Sequence, residues 1–97
     1  MILFDLSELT PEHFEDLVGM PIPLAGSELV FTLKAVVRLK SPSPRAQPFS
    51  LYLQAPTNTI GTQGIYALKH PTLGVLEVFL VPIAPVDGIP GFEAVFN

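Results

Sequence analysis

The chain has 97 residues, 48% of them hydrophobic and only 14% charged, with five Lys and Arg against nine Asp and Glu for a net charge of −4. That length suits one hydrophobic core and is short for two, and the acidic balance opposes general attraction to nucleic acid or anionic lipid. The absence of cysteine excludes a disulfide framework, a thiol nucleophile and a thiolate metal site.

The N-terminus, Met1-Ile2-Leu3-Phe4-Asp5, lacks the basic region and long apolar core of a secretory signal, and no stretch reaches the ~18 apolar residues of a membrane span. A cytoplasmic location is the default expectation, with association with an extracellular or phage-like assembly left open. Ile2, Phe4 and Leu6 alternate with Leu3, Asp5 and Ser7, the pattern of either a short strand or an anchored tail. A helix follows: Thr10 is a capping residue, Pro11 suits the first turn, Glu12 favours the positive end of the dipole and Gly19 ends it. Phe14, Leu17 and Val18 give this helix of about two turns one apolar stripe.

Pro21 to Leu24 reads as a short strand. From Glu28 to Lys40 the period becomes two, with Leu29, Phe31, Leu33, Ala35, Val37 and Leu39 on one parity and Lys34, Arg38 and Lys40 on the other. Its partner is Phe49 to Gln54, reached through the breaker-rich turn Ser41-Pro42-Ser43-Pro44-Arg45, so a hairpin with a mobile tip is expected. Gly64 to His70 and Val75 to Ile83 form a second hairpin around His70-Pro71-Thr72-Leu73-Gly74. Val75 to Val81 is apolar on both parities, which predicts cover on both faces, by the core and by the helix. A loop from Ala84 to Gly91 leads to a last strand, Phe92 to Phe96. The expected fold is mainly β: a single domain over residues 1–97, a small antiparallel barrel or two-layer sandwich of about six strands with one short N-terminal helix.

Chemistry-bearing residues are few. His13 and Asp16 share a helix face, but two ligands do not make a metal site and no third follows at a recognised spacing. His70 precedes Pro71 in a turn, where an exposed or turn-bonded imidazole is expected. Ser7, Ser27, Ser41, Ser43 and Ser50 lie in no nucleophile-elbow pattern, and Gly61, Gly64 and Gly74 read as turn residues and not as a phosphate cradle. No catalytic residue, cofactor or metal is assigned.

Charge is laid out unevenly. Asp5, Glu8, Glu12, Glu15 and Asp16 precede any base, whereas Lys34, Arg38, Lys40 and Arg45 carry four of the five bases. Either the acidic helix lies beside the basic strand within one molecule, or copies meet head to tail. Between Arg45 and Lys69 there is no charged residue. That stretch has the composition of an interface or of a solvated polar loop, and Tyr52, Gln54, Asn58, Ile60 and Gln63 are its candidate interface residues.

Leu9-Thr10-Pro11-Glu12-His13-Phe14 with Leu17-Val18-Gly19, Pro48-Phe49-Ser50-Leu51, Gln63-Gly64-Ile65-Tyr66, His70-Pro71 with Leu73-Gly74, Phe79-Leu80-Val81-Pro82, and Phe92-Glu93-Ala94-Val95-Phe96-Asn97 follow one another in order. Together they resemble an uncharacterised family of small bacterial domains, a domain of unknown function, nearly end to end. Phe92 departs from the family pattern, which has tyrosine there. The resemblance implies a bacterial origin and no catalytic residue. It also implies an accessory or assembly role beside phage-tail-collar-like or fibre-forming proteins.

The resulting expectation is a noncatalytic module that binds another protein or itself, without nucleic acid or membrane. A small barrel carrying an apolar ligand is the alternative, and an enzyme the third.

Overall fold

The computed structural model describes residues 5–40 and 47–97. The expected alternation at Ile2 to Phe4 and the Ser41–Arg45 turn lie outside these residues. A 3-10 turn at Leu6–Glu8 precedes the helix α1, Glu12–Glu15. The strands are β1 Pro21–Pro23, β2 Val30–Arg38, β3 Phe49–Gln54, β4 Gly64–His70, β5 Gly74–Val86 and β6 Ile89–Phe96. They form one six-stranded antiparallel sheet in the order β1-β2-β3-β6-β5-β4. A bridge between Leu24 and Leu68, with the Ala25 N–H donating to the Ala67 carbonyl at 2.8 Å, brings β4 beside β1 and nearly closes the barrel.

Period-two alternation fills the interior. Leu51 and Leu53 on β3, Leu76, Val78 and Leu80 on β5, and Phe92 and Ala94 on β6 are all buried. Phe31 stacks on Phe92 with ring centroids 5.3 Å apart, and Phe49 on Phe96 at 4.7 Å. Each such ring contributes on the order of 2 kcal/mol by leaving water. Phe14 of α1 plugs one end of the barrel against Phe49.

Four expectations need correction. The helix is one α-turn and not two: the Leu17 N–H bonds the Phe14 carbonyl at 2.9 Å, an i−3 bond that tightens the chain, and Gly19 then takes φ 87°. Val18 consequently turns to solvent. The parity of β2 is broken: Leu33 pairs with Leu53 but Ala35 with Tyr52, so Lys34 is an extra residue and Val36, not Ala35, follows Leu33 inward. The helix does not cover β5; α1 lies against β2, and Phe79 and Val81 remain exposed.

The fourth correction is at the Ala84–Gly91 loop, which is a hairpin. β5 runs on to Val86, Asp87 and Gly88 take φ 54° and 75°, and Val86 pairs with Ile89. Two successive left-handed residues are what a two-residue type I′ turn needs, and Asp-Gly supplies them.

The acidic helix and the basic strand meet within one molecule. Arg38 reaches Glu12 at 3.2 Å and Glu15 at 3.1 Å.

Candidate functional site

Two irregularities in the sheet frame one groove. On β2 the extra residue Lys34 projects from the outer face; on β5, Ala84 and Pro85 stand against Pro90 alone, because the register shifts between Ile83 and Val86. Bulges re-aim side chains and end regular pairing. Between them lies an outer-face groove of about 270 Å³ lined by Lys34, Tyr52, Leu53, Gln54 and the β5–β6 hairpin residues Ile83, Ala84, Ile89, Pro90 and Gly91. The Ala55 N–H donates to the Pro90 carbonyl at 2.9 Å and ties the end of β3 to that hairpin.

Gly91 shapes the floor. A Cβ there would stand 3.2 Å from Ile83 Cγ1 and 3.5 Å from the Leu53 carbonyl, so the missing side chain is what lets Ile83 lie across β6. Tyr52 pairs with Glu93 in register, and hydrogen bonding to that carboxylate holds the Tyr52 hydroxyl above the ordinary phenol value of 10.0. Lys34 is the cationic group of the lining.

Of the five residues singled out from the sequence, the structure brings Tyr52 and Gln54 together in this groove. Asn58, Ile60 and Gln63 lie on the connection between β3 and β4, outside the groove lining, and Ile60 is 84% exposed. The sequence reading missed Lys34 and the whole hairpin contribution. The Asp-Gly pair between Val86 and Ile89 carried that signal, and three nearby prolines, Pro82, Pro85 and Pro90, obscured it.

Both histidines are hydrogen-bonded to the main chain. His70 is buried; its Nε2–H donates to the His13 carbonyl at 2.7 Å, and its Nδ1 accepts from the Thr72 and Leu73 N–H groups at 3.2 Å each. The imidazole is thus turn-bonded, and the acceptor role of Nδ1 assigns the neutral Nε2–H tautomer. His13 Nδ1 accepts from the Thr10 N–H at 3.0 Å and serves the helix start. Among the described residues no group of three His, Asp or Glu side chains stands ready for a metal ion. Inside the barrel, the space lined by Phe14, Leu51, Leu68 and Leu76 is about 10 Å³, about the least that admits one water.

The outer face carries further apolar side chains. Ile65 of β4 is 69% exposed and faces Phe79 of β5, 53% exposed, across the ladder; Val81 and Val95 are exposed beside them on β5 and β6. No helix among the described residues is long and apolar enough to cross a membrane.

A filled antiparallel β-barrel with a one-turn helical plug and an outward groove between two bulges defines the class of this protein. The chain belongs to the family described as a domain of unknown function (DUF6916), whose model matches residues 9–96. No curated protein and no solved structure matches it.

Proposed function

We propose that this domain is a noncatalytic interaction module that binds another protein, or a second copy of itself, through its outer sheet face. The observation that carries this reading is the groove at Tyr52 and Gln54. It is open to solvent, floored by Leu53, Ile83 and Gly91, and edged by a hydrogen-bonding amide and one ammonium. An apolar floor with a few polar groups at its rim is the make-up of a recognition surface. The interior, by contrast, is filled by the chain's own side chains, which gives the carrier alternative no support. A role accessory to a fibre-forming or phage-tail-collar-like assembly suits such a module.

The test is binding by the immobilised domain and by its Gln54→Lys variant, together with light scattering of both. Gln54→Lys places a second cation beside Lys34. The expected result is weaker binding of a partner protein by Gln54→Lys at an unchanged thermal midpoint; equal partner binding by both proteins overturns the groove as the binding surface.

A further inference from the structure

The barrel is sealed along only part of the β1–β4 seam. The Ala67 carbonyl turns toward β1, where it accepts from Ala25. In a strand the N–H and C=O of one residue point to the same side, and sides alternate along the chain. Ile65, two residues before Ala67, therefore turns both groups to that same edge. β1 lies beyond its reach, since the bridge to β4 is made at Leu68 and β4 otherwise pairs only with β5. Among the described residues no backbone group takes up either one.

Edges of this kind are ordinarily guarded by charge or proline. β1 carries two prolines, Pro21 and Pro23, but β4 has its one charged residue, Lys69, near its far end, and between Arg45 and Lys69 the chain holds no charge. The side chain at the open position is the exposed Ile65, with Phe79 directly across the ladder.

We propose that the open half of β4 is a homodimer contact, in which two copies pair antiparallel about a two-fold axis at Ile65. Residue 65 then faces itself. Its N–H and C=O are both presented to the partner strand, so the two copies exchange two backbone hydrogen bonds with no unmatched group, the pairing a self-complementary interface requires. Opposed residues of an antiparallel pair share a face, so the Ile65 and Phe79 side chains of both copies form one apolar cluster on the outer surface. Ala25 already occupies the Ala67 carbonyl, which confines the pairing to Gly64 through Tyr66 and makes a dimer that dissociates on dilution. This inference rests on the interaction reading above and names a second copy as partner, at a surface separate from the Tyr52 groove.

The experiment is sedimentation of the whole chain over a wide concentration range, for the wild type, Ile65→Pro, Ile65→Lys and Gln54→Lys, with amide exchange followed by NMR. Ile65→Pro removes a donor that faces away from β5, so the β4–β5 ladder is retained, and circular dichroism checks that it is. A monomer–dimer equilibrium weakened at least tenfold by both Ile65 variants and unchanged by Gln54→Lys is expected, with Ile65 N–H exchange slowing as concentration rises. A strict monomer, or a dimer indifferent to Ile65→Pro, overturns the edge contact while leaving the groove reading to its own binding test. A dimer lost in Gln54→Lys alone overturns it in favour of the groove.

Discussion

His70 donates from Nε2 to the main-chain carbonyl of His13 at 2.7 Å, joining the β4–β5 turn to the helix that plugs the barrel. The same ring meets Phe14 edge-on, with centroids 5.2 Å apart. One side chain therefore serves a helix carbonyl, two turn N–H groups and an aromatic contact.

Replacing His70 with alanine leaves those backbone groups without partners and opens space beside Phe14. A loss of about 3 kcal/mol is expected by denaturant titration. A loss below about 1 kcal/mol would show that water replaces the ring at little cost.

Phe96 stacks on Phe49 and is 7% exposed. Phe96→Ala should cost about 3 to 5 kcal/mol, the usual range for a truncated core aromatic. The measurement is the shift in urea midpoint, and a near-wild-type midpoint would refute the role given to the last strand.

Deletion of Lys34 should be tolerated. Leu33 and Ala35 already pair with the adjacent residues Leu53 and Tyr52, so removing the residue between them restores a regular ladder and keeps Leu33 and Val36 inward. Deleting Leu33 instead moves a polar or charged neighbour toward the core. Comparison of the two thermal midpoints checks this; an unfolded Lys34 deletion would mean that the bulge is needed for the fold as well as for the groove.

Tyr52 titrates above the ordinary phenol value because its hydroxyl bonds Glu93. A raised value means that the stability it contributes is present below the unfolded value and lost as pH rises through the folded one. In a Tyr66→Phe background, which leaves one tyrosine, ultraviolet absorbance should show Glu93→Gln returning Tyr52 toward 10.0. An unmoved titration would remove Glu93 as the cause.

Glu12 behaves in the opposite sense. Its carboxyl lies below the ordinary value of 4.5, first through its own backbone N–H and then through Arg38. Its contribution is present above 4.5 and lost as pH falls through the folded value. Stability measured from about pH 6 to about pH 3 should decline less steeply in Glu12→Gln than in the wild type, and added salt should narrow the difference.

Much of this architecture was legible because burial imposes a period of two. β3 and β4 fall on the same residues in sequence and structure, and the barrel follows from six such strands. The bulge at Lys34 was not legible, since Leu29 to Leu39 keeps an apolar residue at every second position, and Val30 and Val36 on the other parity do not by themselves mark where the parity changes; that change comes from pairing with β3, which a single strand does not encode. The helix was overestimated because Leu17 and Val18 fit a helical stripe that a tightened turn serves equally well. At the candidate site, Tyr52 and Gln54 stood out through the lack of charge around them. Lys34 and Ile83 did not, because what brings them together is a pair of register shifts in strands far apart in the chain.

The strand order has a consequence for how the chain is made. β1-β2-β3 and β4-β5-β6 are two meanders of neighbouring strands, and the one full ladder between them is that of β6 with β3, the β1–β4 side being closed by the single Leu24–Leu68 bridge. As the chain leaves the ribosome, β3 emerges some forty residues before its partner, with Phe49, Leu51 and Leu53 ready to bury and β6 not yet present. The barrel therefore assembles only after residue 96 clears the exit tunnel, and during that interval the apolar side of β3 is the surface that chaperones would hold.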